Sequence, residues 1–133
     1  LSPYGVFNGT GAFADVDAQY LALCEALSAL GLLYLHVLDH AAMGAPPVPE
    51  ALKVQLRERF DGPFILAGGF DRATAEAALA EGRADLIAFG RPFLANPDLV
   101  ERMRVGAALN QPDMATFYTP DAKGYTDYPT LGS

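Results

Sequence analysis

Apolar positions along this chain fall into two alternating rhythms. From Asp15 to about Leu30 they recur at Val16, Tyr20, Leu23, Cys24, Leu27 and Leu30. Steps of three and four predict a helix with one buried stripe, and Gly31 stands where a left-handed residue would end it. Leu32 to Leu38 is then a short apolar run of strand length, followed by a Gly/Ala/Pro-rich loop from Asp39 to Val48.

The phrase repeats. Pro49 suits the first position of a helix running to Phe60, with Leu52, Leu56 and Phe60 on one face. Gly62-Pro63 breaks the chain, and Phe64 to Ala67 reads as a buried strand. Asp71 predicts the N-cap of a third helix through Ala75, Ala78 and Leu79, ended by Gly82. Leu86 to Phe89 is the next strand. Asn96 and Pro97 offer a cap and first-turn pair for a fourth helix ending at Gly106, and from Ala107 the chain loses its period.

Strands without period-2 alternation, separated by helices, predict an α/β fold whose parallel sheet is covered on both faces. Three strands are clear, with Leu1–Pro3 as the stub of a fourth. A closed (β/α)8 TIM barrel takes about 250 residues, so this chain of 133 residues corresponds to roughly half of one. Half a barrel has two open sheet edges that must be covered by pairing. The chain opens at Leu1 with no initiator Met and no leader, and closes on Gly132-Ser133, which points to a piece of a longer protein.

Composition narrows the partners. Hydrophobic residues make up 51% of the chain, too many for a disordered segment. A formal net charge of −7 argues against nucleic acid or an anionic membrane, both of which are bound through Lys/Arg excess. No run approaches the length of a membrane span. The single cysteine, Cys24, allows no internal disulfide and fits a reducing, cytoplasmic setting.

Two loops carry candidate chemistry: Phe-Ile-Leu-Ala-Gly-Gly-Phe at 64–70 and Leu-Ile-Ala-Phe-Gly-Arg-Pro at 86–92. In each, glycine ends a buried strand just before a helix, where parallel α/β proteins bind ligands. Glycines 68, 69 and 90 would let backbone amides approach a phosphate closely. Arg91 adds a planar fork of donors suited to phosphate oxygens. The plainer alternative is a turn glycine and an arginine that pairs with a neighbour.

The segments Ile-Leu-Ala-Gly-Gly-Phe-Asp, Ala-Asp-Leu-Ile-Ala-Phe-Gly-Arg-Pro-Phe-Leu-Ala-Asn-Pro-Asp-Leu, Thr-Phe-Tyr and Gly-Tyr-Thr-Asp-Tyr-Pro together resemble the Old Yellow Enzyme family. The opening Leu-Ser-Pro-Tyr-Gly-Val-Phe-Asn is similar to the end of that family's fifth strand and the loop after it. The resemblance implies residues 1–133 as the C-terminal half of a TIM-barrel FMN-binding domain, about strands six to eight with their flanking helices. It implies an FMN-dependent, NAD(P)H-consuming ene-reductase acting on the activated C=C bonds of α,β-unsaturated carbonyl or nitro compounds. Residue by residue, Gly68 and Gly69 match the loop after strand seven that touches the FMN phosphate. Gly90 and Arg91 match the loop after strand eight, and Tyr118 matches an aromatic on the substrate side of the flavin. The family's substrate-anchoring pair, proton-donating Tyr and flavin-ring contacts belong to the first half of the barrel. No catalytic residue is therefore expected in this chain, which alone would be inactive and would need that N-terminal half as its partner. The alternative is a non-catalytic half-barrel module that pairs through its sheet edges, as a homo-oligomer for instance.

Other residues read more plainly. His36, inside Tyr-Leu-His-Val-Leu, is read as a hydrogen-bonded core histidine, with a polar group in the barrel interior as the alternative. His40 beside Asp39 lacks the convergent spacing of a metal site. Cys24 reads as inert packing. Lys53, Arg57 and Arg59, with Glu50 and Glu58 beside them, read as a solvated helix face. Asp121–Tyr128 could serve as an interface segment.

Overall fold

Three short parallel strands and five helices account for the regular structure of the computed structural model, which describes residues 1–11 and 13–132. The chain divides into two compact units, Leu1–Ala88 and Phe89–Ser133.

The first unit holds α1 (Val16–Ala29), β1 (Leu35–Leu38), α2 (Glu50–Arg59), β2 (Phe64–Ala67), α3 (Arg72–Ala80) and β3 (Leu86–Ala88). The sheet order is β1-β2-β3, all parallel, with Leu35 opposite Phe64 and Ile65 opposite Leu86. Each strand lies beside its successor, the order of a (β/α)8 barrel rather than of a sheet that reverses direction midway. Leu1–Pro3 forms no strand. Leu1 nonetheless bonds to β1 as a parallel neighbour would: its nitrogen donates to the His36 carbonyl, and its carbonyl accepts the Leu38 amide at 2.9 Å.

Right-handed crossovers along an order that never reverses put α2 and α3 on one side of the sheet. The core forms there. Leu35 and Val37 of β1 and Phe64 and Leu66 of β2 pack with Cys24 of α1, Leu52 and Leu56 of α2, Val48 and Phe60. The opposite face carries His36, Leu38 and Ile65, which are half-buried, and Leu86, which is exposed. Helices covering both faces were expected; they cover one. In a barrel the second face is filled by side chains of the other strands, so it needs no helix.

Local signals explain most element ends. Gly31 and Gly82 adopt positive φ just past α1 and α3. Asp71 closes a capping box, its carboxylate accepting the Thr74 amide at 2.8 Å while the Thr74 hydroxyl accepts the Asp71 amide at 3.0 Å. Pro49 is the cap of α2 rather than its first helical residue. β1 is shorter than the apolar run: Leu32, Leu33 and Tyr34 precede it and are exposed, because apolarity alone cannot say where ladder hydrogen bonds begin.

The second unit departs further from the periodic reading. A short helix, α4 (Arg91–Ala95), starts directly at Gly90. Asn96 therefore ends a helix instead of starting one, and Asp98 is the cap of α5 (Leu99–Val105), which Gly106 ends at φ 70°. Pro92 in the first turn of α4 is tolerated because amides there have no intrahelical acceptor. Beyond α5 the chain is irregular apart from a 3₁₀ turn at Met114–Thr116.

Polar side chains hold this unit together. Asn96, fully buried, donates to the carbonyls of Pro92 (2.8 Å) and Asn110 (3.2 Å) and accepts the Asn110 amide at 2.7 Å. Arg102, also buried, donates to the Asp98 carboxylate (2.7 Å) and to the carbonyls of Ala108 (2.7 Å) and Pro129 (2.9 Å). The Arg102 hydrogen bond holds the Asp98 carboxyl below its ordinary range. The other Asp98 oxygen accepts the Leu131 amide at 2.7 Å. No helix among the described residues is long and apolar enough to cross a membrane.

Candidate functional site

The strand ends in the first unit show why glycine occupies position 68. Its φ is 115°, and a Cβ there would lie 2.0 Å from the Asp39 carbonyl oxygen. Glycine at this point is demanded by close backbone packing between the ends of β1 and β2. Gly69 follows at φ 71°, with a Cβ position that meets only Ala42, at 3.5 Å. Two successive positive φ values turn the chain sharply, and among the described residues the amides of Gly69 and Phe70 donate to no acceptor. The first turn of α3 is different: the Asp71 carboxylate already accepts the Thr74 amide there, and that bond with the Thr74 hydroxyl keeps its carboxyl low. An anion at this loop would therefore meet the amides of residues 69–70, not the helix start.

Asp39 braces the loop from behind, a role the sequence did not reveal. Its carboxylate accepts the amides of Ala41 (2.9 Å) and Val48 (3.2 Å) and pairs with Lys53 at 2.9 Å. Burial alone would raise the Asp39 carboxyl, but Lys53 and the two amides outweigh it and hold it below the ordinary value of 3.8. Lys53 is thus not part of a solvated face, since its side chain is 16% exposed. Arg57 pairs with Asp85 at 3.0 Å and Arg59 with Glu25 at 2.8 Å. All three cations tie α2 to neighbouring elements, because its polar face abuts carboxylates from distant parts of the chain.

His36 departs from the hydrogen-bonded reading. Its Nε2 is buried with no partner among the described residues, and burial lowers its pKa, which favours the neutral ring. It lies on the sheet face away from the core, in one row with Ile65 and Leu86. Nδ1 of His40 is likewise buried without a partner, the ring tilted against Phe7 at 5.2 Å. Cys24 is fully buried, its thiol donating to the Leu56 carbonyl at 3.3 Å, and burial pushes the thiol pKa up, as an inert packing residue requires.

In the second unit, Gly90 caps α4 with nothing within 4 Å of its Cβ position, and Arg91 is the first helical residue. Tyr118 is 92% exposed, with its backbone at φ 61°. In the first unit the amides of the sharp Gly68–Gly69 turn are donors of a kind that suits a phosphate such as that of FMN. In the second, Arg91 carries a guanidinium of equally suitable chemistry.

Residues 1–110 match the model of the NADH:flavin oxidoreductase / NADH oxidase family. The chain is 42% identical to 12-oxophytodienoate reductase 2 of Arabidopsis thaliana, over all of this chain and 36% of that protein. It superposes on the solved structure of morphinone reductase with a TM-score of 0.88 and 44% identity, covering 98% of this chain and 35% of that one. A structure of morphinone reductase in complex with tetrahydroNAD gives 0.85 and 43%, over 98% of this chain and 34% of that one. The chain thus spans about a third of the length of the relatives it matches. Its three βα units are a portion of the TIM barrel these proteins share, and the chain belongs to the NADH:flavin oxidoreductase, or Old Yellow Enzyme, family.

Proposed function

We propose that this chain is the C-terminal part of an FMN-dependent, NAD(P)H-consuming ene-reductase, about strands six to eight of its barrel, and supplies the phosphate end of the cofactor site. The observation that carries the reading is the Gly68–Gly69 turn, whose amides at 69 and 70 have no acceptor among the described residues and whose geometry is fixed by the braced Asp39 loop. In this reading Gly68, Gly69 and Gly90 offer backbone contacts, Arg91 offers charge, and Tyr118 lies on the substrate side. When bound, FMN supplies the redox chemistry, accepting hydride from NAD(P)H and delivering it to an activated alkene. The residues of this chain bind and orient; the groups that anchor substrate and deliver a proton belong to the N-terminal part of the barrel. The relatives are named for reducing 12-oxophytodienoate and morphinone. An α,β-unsaturated carbonyl or nitro compound is accordingly the substrate class proposed. The one cysteine, buried and unpaired, supports a cytoplasmic setting.

Comparing FMN with riboflavin tests the reading. In the complete protein, Arg91→Met should weaken FMN binding about tenfold or more and leave riboflavin, which lacks the phosphate, unaffected. Equal losses for the two flavins, or no loss for either, would overturn the assignment of Arg91 to the phosphate.

A further inference from the structure

Tyr118 has a left-handed backbone, which is disfavoured for any residue carrying a Cβ. Folding gains little from placing it there. The ring is 92% exposed, and among the described residues its one ring contact is an edge-on approach to Phe117 at 6.4 Å. A strained backbone that buries nothing calls for another explanation.

The neighbouring turn supplies one. Residues 113–118 and 124–128 face each other, joined by two bonds of the same kind. The Tyr128 hydroxyl accepts the Asp113 amide at 2.7 Å, and the Tyr125 hydroxyl accepts the Tyr118 amide at 2.6 Å. Between these rungs Gly124 is buried at φ 78°, where a Cβ would lie 1.9 Å from the Thr116 hydroxyl. Thr116 is itself fixed, its hydroxyl donating to the Asp113 carbonyl at 2.8 Å. The second arm is stiffened at its own turn: Gly124 donates to the Asp127 carboxylate at 2.7 Å, and the Tyr125 amide donates to the Ala122 carbonyl at 3.1 Å. Tyr125 therefore meets the Tyr118 amide from a rigid base.

We propose that Tyr125 is a positioning residue for Tyr118: by accepting its amide it locks the left-handed turn that holds the Tyr118 ring out for contact with substrate. The role rests on the reading of Tyr118 as a substrate-side residue. Without the Tyr125 hydroxyl the Tyr118 amide turns to water, the backbone relaxes toward negative φ, and the ring leaves its place. The device needs a hydroxyl on Tyr125 and a ring on Tyr118, so the two residues act as one unit.

The test uses the complete, FMN-loaded protein with Tyr125→Phe, Tyr118→Ala and the double variant. Tyr125→Phe keeps the ring and removes the acceptor. It should speed hydrogen exchange at the Tyr118 amide about tenfold and raise KM for an enone about fivefold, with kcat and the visible flavin spectrum little changed. The double variant should be no worse than Tyr118→Ala alone. If Tyr118→Ala raises KM while Tyr125→Phe does not, or if the two losses add, the positioning role falls and the substrate-side reading stands. If Tyr118→Ala leaves KM unchanged, the substrate-side reading falls and takes the role of Tyr125 with it.

Discussion

The two units of this chain are held together by different physics. In Leu1–Ala88 the order comes from an apolar core, with Phe64, Leu52, Leu56 and Val37 almost fully buried. In Phe89–Ser133 the work is done by directional bonds from a few polar side chains, Asn96, Arg102, Asn110, Tyr125 and Tyr128, to distant backbone groups. Apolar burial is non-directional and tolerates local repacking. A network of directional hydrogen bonds fixes an irregular path closely, and where its members are buried, as at Asn96 and Arg102, loss of one leaves partners unsatisfied. An irregular path with little apolar surface to bury suits the second means.

Substitutions can break this contrast in either unit. The largest effect is expected from Phe64→Ala, which opens a cavity between β2 and the helices and should cost about 3–5 kcal/mol. Urea unfolding of the complete protein would measure it, and hydrogen exchange should rise first at residues 35–38 and 64–67. Asn96→Ala removes little apolar surface yet orphans the Asn110 amide and one acceptor at Pro92, for about 3 kcal/mol. Its exchange signature should fall on residues 108–111; a signature spread evenly over both units would contradict the division of labour drawn here.

A smaller effect sharpens the comparison, since the first unit also has polar braces, the Asp39–Lys53 pair among them. The Asp39 carboxyl titrates lower in the folded protein than its ordinary 3.8. Its ion pair with Lys53 therefore contributes stability above that value and loses it as pH falls through the lower folded pKa. Asp39→Asn should lower the urea midpoint at pH 7, and the gap to the parent protein should close in acid below about pH 4. A gap that stays constant with pH would show that the carboxylate charge is not what braces the loop.

Legibility in the sequence follows the same division. Apolar spacing located α1, α2 and α3, and an apolar run located β2, to within a residue or two, although of the stripe in α1 only Val16 and Cys24 are buried while Leu23 and Leu30 are exposed. Spacing missed α4, whose five residues are too few to show a period, and so it gave Asn96 to the wrong end of a helix. The Gly-Gly and Gly-Arg turns stood out as candidate phosphate loops because glycine at a strand end is a local signal. That Gly68 must yield to the Asp39 carbonyl could not be seen, since the contact joins residues 29 positions apart. The ion pairs of Lys53, Arg57 and Arg59 were hidden for the same reason: their carboxylates lie on other elements.

The sequence by itself therefore determined the βα alternation, the parallel sheet, the acidic balance and the family motifs, all of which reside in local pattern. The tertiary structure alone decided which sheet face the helices cover, why position 68 admits no Cβ, that His36 Nε2 has no partner among the described residues, and how two tyrosine hydroxyls clamp the segment bearing Tyr118. Each of these depends on groups brought together by chain crossings and turns. Most of these pairs lie too far apart in sequence for one window to contain both members, and Tyr118 and Tyr125, seven residues apart, are brought together only by the turn between them.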